Sequence, residues 1–314
     1  MKLIIQIPCY NEEKFLPVTL EQLPKSAAGI DEIEILVIDD GSTDATAETA
    51  RKNGVKHIVS LPENSGLAKA FIAGINAALE LGADIIVNTD ADNQYNAADI
   101  EKLIAPVLKN EADIVIGTRP VSQISHFSLM KKILQKLGSR VMCWVSSAHV
   151  EDAASGFRAF SRNAAMQMNI FDNYTYTLET IIQAKAKGLR LVCVPAGVNE
   201  DLRKSRLVKS MFDYIKRSVF TMLRMFVIYR PFRFFAIISG LCLLAGTAVG
   251  ARFLCYYYTG GGSGHVQSLI LASVLLISGV QTAFIAVLAE LLSINRKLLE
   301  DIQRRLKIER IGNG

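Results

Sequence analysis

A mainly parallel, doubly wound α/β sheet followed by a pair of membrane-length helices is the fold class this sequence predicts. Short apolar runs alternate with helix-length segments over roughly the first 120 of its 314 residues, the pattern of strands joined by crossover helices. Two stretches near the C-terminus carry almost no charge. The mean hydropathy of +0.27 is high for a chain in which 21% of residues are charged.

Taken in order, Leu3 to Ile7 reads as a strand closed by Pro8, and Glu13 to Leu23 as a helix. Ile33 to Ile38 is a second strand, followed by the turn Asp39-Asp40-Gly41-Ser42. Thr43 to Asn53 is helical, with Ser42 or Thr43 suited to cap it. His57 to Val59 is a short strand, and Gly66 to Leu81 a helix. Asp84 to Val87, Ala97 to Lys109 and Asp113 to Gly117 continue as strand, helix and strand. Ser125 to Val145 is helical, Leu178 to Lys187 a helix and Leu189 to Val194 a strand. In such sheets ligands gather beyond the carboxyl ends of the strands, and the polar clusters of this chain fall there.

Phe234 to Leu254 is free of charge until Arg252, and Val266 to Ala289 has none. Each exceeds the roughly 20 residues that cross a bilayer. The loop between them, Tyr256 to His265, contains no Lys or Arg, whereas Arg203, Lys204, Arg206, Lys209, Lys216, Arg217, Arg224, Arg230 and Arg233 precede the first span and Arg296, Lys297, Arg304, Arg305, Lys307 and Arg310 follow the second. This bias puts both termini and the N-terminal domain in the cytoplasm. Pro8 and Glu12-Glu13 interrupt the apolar start, so no signal peptide is expected. The expected organisation is a catalytic domain over 1–204, a basic amphipathic interfacial segment over 205–233, a hairpin over 234–290 with spans of about 234–255 and 266–290, and a cytoplasmic helical tail over 291–314. Leu299, Ile302 and Leu306 line one stripe of that tail, which fits either a solvated helix or a homo-oligomer contact. Five cysteines without metal-type spacing read as free thiols. The net charge of +5 sits in the juxtamembrane segments and favours anionic headgroups or phosphates; without a basic-aromatic platform or helix-turn-helix pattern, nucleic acid is not an expected partner.

The run Asn88-Thr89-Asp90-Ala91-Asp92-Asn93-Gln94-Tyr95 leaves the strand Asp84 to Val87. Two carboxylates one residue apart, followed by an amide, are hard oxygen donors suited to Mg²⁺ or Mn²⁺. The same residues are also ordinary turn formers.

Ile7-Pro8-Cys9-Tyr10-Asn11-Glu12-Glu13, Val37-Ile38-Asp39-Asp40-Gly41-Ser42-Thr43-Asp44 and Thr89-Asp90-Ala91-Asp92 together resemble family 2 glycosyltransferases of the GT-A fold. More narrowly, Asp90 to Gln94, Ser155-Gly156-Phe157-Arg158-Ala159-Phe160 and Leu178-Glu179-Thr180 look like the polyprenyl-phosphate glycosyltransferases, a class typified by dolichyl-phosphate mannose synthase. The resemblance covers roughly residues 1 to 210. It implies inverting transfer of a hexose, mannose or glucose, from a GDP- or UDP-linked donor to a polyprenyl phosphate such as undecaprenyl or dolichyl phosphate. By the resemblance Asp90, Asp92 and Gln94 hold the cation against the donor diphosphate. Pro8, Tyr10, Asn11 and Glu12 form a nucleotide wall with Asp90 and Ala91. Asp40 accepts from the base, and Asp39 supports the turn or ribose; both also suit a purely structural turn. Lys69 assists the donor phosphates or is simply solvated.

A lipid monophosphate is already anionic near neutral pH, so the acceptor needs cations to position it more than it needs a general base. Arg119 and Arg206 are the expected phosphate contacts and, with Asp92, the expected catalytic residues; Lys132, Arg140, Asp152, Ser155, Arg158, Glu179 and Arg203 complete the expected acceptor side. The alternatives are transfer to a lipid or sugar hydroxyl, which requires an identified general base, and an inactive membrane scaffold, against which the intact acidic motif argues.

Overall fold

The computed structural model describes residues 1–119, 150, 152–170, 176–199, 216, 219–220, 223–224, 226–259 and 266–312. The helix expected over Ser125 to Val145 and the first part of the expected interfacial segment lie outside these residues. The chain forms two units, one of residues 1–222 with 303–314 and one of residues 223–302.

In the first unit the strands are β1 (Lys2–Cys9), β2 (Glu32–Asp39), β3 (His57–Ser60), β4 (Ile85–Asn88), β5 (Ile114–Thr118), β6 (Arg158–Ser161) and β7 (Leu191–Pro195). The helices are α1 (Leu16–Gln22), α2 (Thr46–Lys52), α3 (Leu67–Glu80), α4 (Ile100–Leu108), α5 (Arg162–Gln167) and α6 (Tyr176–Ala186). The sheet is 7-stranded, ordered β3-β2-β1-β4-β6-β5-β7. Every neighbour pair is parallel except those of β6, which runs antiparallel to β4 and β5. The sheet is mainly parallel, as expected, and β6 alone makes it mixed. Phe157-Arg158-Ala159-Phe160 shows its apolar character in sequence, but its direction depends on where the chain re-enters the sheet after β5.

Both faces of the sheet are covered, which is why residues 3–5 of β1, 35–38 of β2 and 85–87 of β4 are continuous apolar runs rather than alternating ones. Leu3, Ile5, Ile7, Val37, Val87 and Phe157 pack with Leu103 and Ile104 of α4 on one side. Ile4, Leu36, Ile38, Ile86 and Phe160 pack with Phe71 and Ile75 of α3 on the other. Successive strand residues point to opposite faces, so one strand feeds both cores.

The cap expected at Ser42 or Thr43 is corrected. Helix α2 starts at Thr46, and the Asp44 carboxylate accepts from the Thr46 N–H (3.0 Å). Ser42 and Thr43 are occupied instead with Asn11: the Asn11 N–H donates to Ser42 Oγ (3.0 Å) and the Thr43 N–H to Asn11 Oδ1 (2.8 Å).

The second unit contains α7 (Pro231–Tyr258) and most of α8 (Val266–Gly312). Both are long and apolar enough to cross a membrane. Where they touch, small residues let the backbones approach: a Cβ on Gly246 would lie 2.9 Å from Leu276 and one on Gly279 2.8 Å from Leu243. Ser239 Oγ donates to the Gly279 carbonyl at 2.8 Å, satisfying a polar group among apolar ones. Leu241, Leu244, Phe284 and Leu288 face outward and exposed. Helix α8 is one helix of 47 residues.

Candidate functional site

The carboxyl ends of β1, β2 and β4 lie side by side, and their loops are tied to one another before any ligand is considered. Asn11 takes a left-handed conformation (φ 55°), with its backbone N–H bonded to Ser42 Oγ and its side-chain Oδ1 accepting from the Thr43 N–H. The Glu12 N–H donates to Thr46 Oγ1 at 2.8 Å. Asp39 accepts from the Ser42 N–H (3.0 Å), the turn support expected of it. Asp40 accepts from the N–H groups of Ser65 (2.8 Å) and Gly66 (2.9 Å), so its carboxylate anchors the entry to α3. Gly41 is required here: its φ is +64°, and a Cβ would sit 2.4 Å from the Glu63 carbonyl carbon. Pro8, Glu12, Asp39 and Asp40 are buried, Asn11 is half-buried, and Tyr10 and Lys69 are exposed.

The loop after β4 alternates. Asp90, Asp92 and Gln94 are half-buried, while Ala91, Asn93 and Tyr95 between them are buried. Four ties hold it. Thr19 Oγ1 donates to the Ala91 carbonyl (2.8 Å), and the Gln94 N–H donates to Asp92 Oδ1 (3.3 Å). The Asn199 N–H donates to the Gln94 carbonyl (2.9 Å), and its amide Nδ2 to the carbonyls of Asn93 (2.9 Å) and Tyr95 (3.1 Å). Tyr95 stacks on Phe157 (5.0 Å between centroids), and its hydroxyl accepts from the Gly156 N–H at 3.0 Å. Burial pushes the Tyr95 phenol up to about 12, so near neutral pH it is a neutral acceptor.

Gly156 also explains why the second motif belongs with the first. A Cβ there would lie 3.0 and 3.1 Å from the two Asp90 oxygens. Its absence leaves room beside that carboxylate. Behind it, Asn88 Nδ2 donates to the Gly156 carbonyl (2.9 Å) and to the Tyr176 hydroxyl (2.8 Å), while Gln6 Nε2 donates to Asn88 Oδ1 (2.9 Å). The donor set of Asp90, Asp92 and Gln94 is all oxygen, accessible and backed by a cradle that a side chain at 156 would fill. It fits a hard divalent cation. Among the described residues no group of three or more His, Cys, Asp or Glu could hold a metal.

The second motif is otherwise buried. Arg119 Nε and Nη2 donate to the two Asp152 oxygens (2.7 and 3.1 Å), a bidentate pair whose side chains are 10% and 1% exposed. Burial opposes the Arg119 cation, but Tyr95 and Asp152 outweigh it and its pKa is raised. Arg158 has no exposed surface. Its guanidinium donates to the carbonyls of Ser155 (2.9 Å), Thr177 (2.8 Å) and Ala153 (3.1 Å) and to the Thr180 hydroxyl. Ser155 and Glu179 are also buried, and Glu179 accepts from Gln183. Ser155, Arg158 and Glu179, expected on the acceptor side, are thus buried side chains bonded within the protein. Lys132, Arg140, Arg203 and Arg206 lie outside the described residues.

Sequence reasoning missed Asn88, Asn199, Thr19 and Tyr176. An asparagine ending an apolar strand was a signal for Asn88; nothing near Asn199 in sequence points 105 residues back to Gln94.

A family model described as glycosyl transferase family 2 matches residues 4–169. An undecaprenyl-phosphate mannosyltransferase of Micrococcus luteus is 28% identical over 66% of this chain and 88% of its own length. A UDP-N-acetylglucosamine–dolichyl-phosphate N-acetylglucosaminyltransferase of Methanococcus voltae is 30% identical over 60% of this chain and 82% of its own. Among solved structures, glucosyl-3-phosphoglycerate synthase of Mycobacterium tuberculosis, in complex with Mn²⁺, UDP-glucose and phosphoglyceric acid, superposes with a TM-score of 0.56 at 20% identity, over 72% of this chain and 79% of that one. That likeness establishes the GT-A architecture. The family match spans more than half of the sequence and contains both acidic loops: the chain belongs to glycosyl transferase family 2.

Proposed function

We propose that this glycosyltransferase moves a hexose, with inversion, from a nucleotide sugar to a polyprenyl phosphate at the cytoplasmic face of a membrane. One observation carries the reading: an accessible Asp90-Asp92-Gln94 loop occurs in the same chain as two outward-apolar helices of bilayer length. The names of the Micrococcus and Methanococcus relatives support a lipid phosphate acceptor and leave the sugar open. The positive charges flanking α7 and α8, absent from their connecting loop, support the cytoplasmic orientation.

In this reading the loops after β1 and β2 receive the nucleoside, with the Tyr10 ring exposed at the edge of the site. Asp90, Asp92 and Gln94 would hold Mg²⁺ or Mn²⁺, which supplies charge neutralisation to the departing nucleoside diphosphate. The acceptor phosphate, with a second pKa of about 6, attacks the anomeric carbon as an anion; the bond to the diphosphate breaks on the opposite side, and no side chain has to remove a proton. Arg119 is held by Asp152 beside Tyr95, so it acts by fixing that wall. Cationic positioning of the acceptor falls to Arg203 and Arg206. They follow Asn199 by four and seven residues, within about 14 and 25 Å of extended chain from the residue bonded to the Gln94 carbonyl.

The test is incubation of the purified chain with labelled GDP- and UDP-sugars and undecaprenyl phosphate. An acid-labile lipid product formed only with Mg²⁺ or Mn²⁺ is expected. Full turnover in excess chelator sinks the metal role, and an acid-stable glycolipid sinks the phosphate acceptor in favour of a hydroxyl.

A further inference from the structure

The cytoplasmic end of α8 is amphipathic in the reverse of the usual sense. Its inward stripe is polar. Ser293 and Glu300 are buried, Arg296 lies 4.1 Å from the Tyr229 ring centroid and pairs with Glu300 (3.5 Å), Arg304 donates to Asn163 Oδ1 (3.1 Å), and Lys307 donates to the Met168 carbonyl (3.4 Å). The outward stripe is apolar: Leu288, Leu292, Leu299, Ile302 and Leu306 are all exposed, with Asn295 among them. From Leu288 to Leu306 these positions recur at alternating steps of four and three. That is a repeat of about 3.5 residues, the period of a left-handed coiled-coil seam rather than of a face packed on a globular core.

Lipid does not cover this stripe if α8 crosses the bilayer, and in this the inference rests on the proposed membrane topology. At about 1.5 Å per residue the 47-residue helix is ~70 Å long, against a hydrocarbon core of ~30 Å. With Val266 to Ala289 in the bilayer, the helix runs on past residue 291 for a further ~30 Å. No proline turns it back toward the surface. A second copy inserts in the same orientation, which presents the same stripe in parallel. An asparagine at one seam position is then satisfied by its counterpart, fixing the register.

We propose that Leu292, Asn295, Leu299, Ile302 and Leu306 form the seam of a parallel coiled coil with the same helix of a second copy of this chain. The full chain in lipid nanodiscs is the material for the test. Mild oxidation of Leu299→Cys is expected to give a cross-linked dimer, whereas Lys297→Cys, on the far side of the helix, gives no more than the native chain. Leu299→Glu with Leu306→Glu is expected to lower the dimer fraction at least tenfold by single-particle mass measurement, while Asn295→Leu keeps the association but spreads cross-links to neighbouring positions. A native chain that is monomeric, cross-links equally strong at 297 and 299, or quenching of a fluorophore at 299 by a lipid-borne quencher overturns the proposal. Carbonate extraction separates the two layers: release of the native chain from membranes sinks the topology itself, whereas a membrane-retained monomer sinks only the coiled coil.

Discussion

The loop at 90–95 and the loop at 152–158 both combine carboxylates with neutral polar side chains, yet one keeps accessible side-chain surface and the other buries it. Asp90, Asp92 and Gln94 keep accessible surface; Asp152, Ser155 and Arg158 have almost none. Both are rich in charge and both come from family motifs, so residue type does not separate chemistry from architecture. What separates them is burial. A buried guanidinium must meet its hydrogen bonds inside the protein, and Arg158 does so on three carbonyls and a hydroxyl. Gly156 is where the two meet: it belongs to the buried loop by sequence and to the Asp90 carboxylate by contact.

The difference can be broken by substitution. Asp92→Ala is expected to lower transfer by at least ~1000-fold, about 4 kcal/mol of barrier, with the melting temperature moved by no more than a few degrees. Residual activity near the native level would return Asp92 to the turn. Arg158→Ala should do the opposite, destabilising the fold by about 3–5 kcal/mol in denaturant titration, because it strands buried carbonyls and opens a cavity. A variant of native stability and reduced acceptor affinity would place Arg158 at the substrate after all. Gly156→Ala sits between them. Its Cβ presses on Asp90 and on the Tyr176 hydroxyl, 2.9 Å away, so a ~10- to 100-fold rise in the metal concentration needed for half-maximal activity is expected. Rescue by excess Mn²⁺ distinguishes this from simple unfolding.

Tyr95→Phe is the mildest, removing the acceptor for the Gly156 N–H at about 1 kcal/mol. The same phenol gives a pH test. Its folded pKa, about 12, lies above the ordinary value of 10.0, so the stability it contributes is fully present below pH 10 and is lost as pH rises toward 12. The difference in tyrosinate absorbance between the native chain and Tyr95→Phe should show no ionisation below pH 10 while the fold persists. A midpoint near 10 would mean that Tyr95 is not buried against Phe157.

The strands and most helices of the first 120 residues were legible because each carries its own apolar run, turn residues and strand-ending proline. The acidic loop was legible for the same reason: its two carboxylates and its amide fall within five consecutive positions. Arg119 and Arg158 were not. An arginine after a strand looks alike in sequence whether it faces a phosphate or an internal carboxylate, and Asp152 lies 33 residues from the arginine it neutralises.

By itself the sequence determined the α/β order, the family, the oxygen donor set after β4 and the two bilayer-length helices, because those depend on residues close together in the chain. Tertiary structure alone decided that β6 runs antiparallel, that the Asp40 carboxylate anchors α3, that Asn199 clamps the donor loop at Tyr95 from 104 residues away, and that Gly156 leaves space beside Asp90. Each of these depends on burial and on partners remote in sequence. A local pattern contains no record of either.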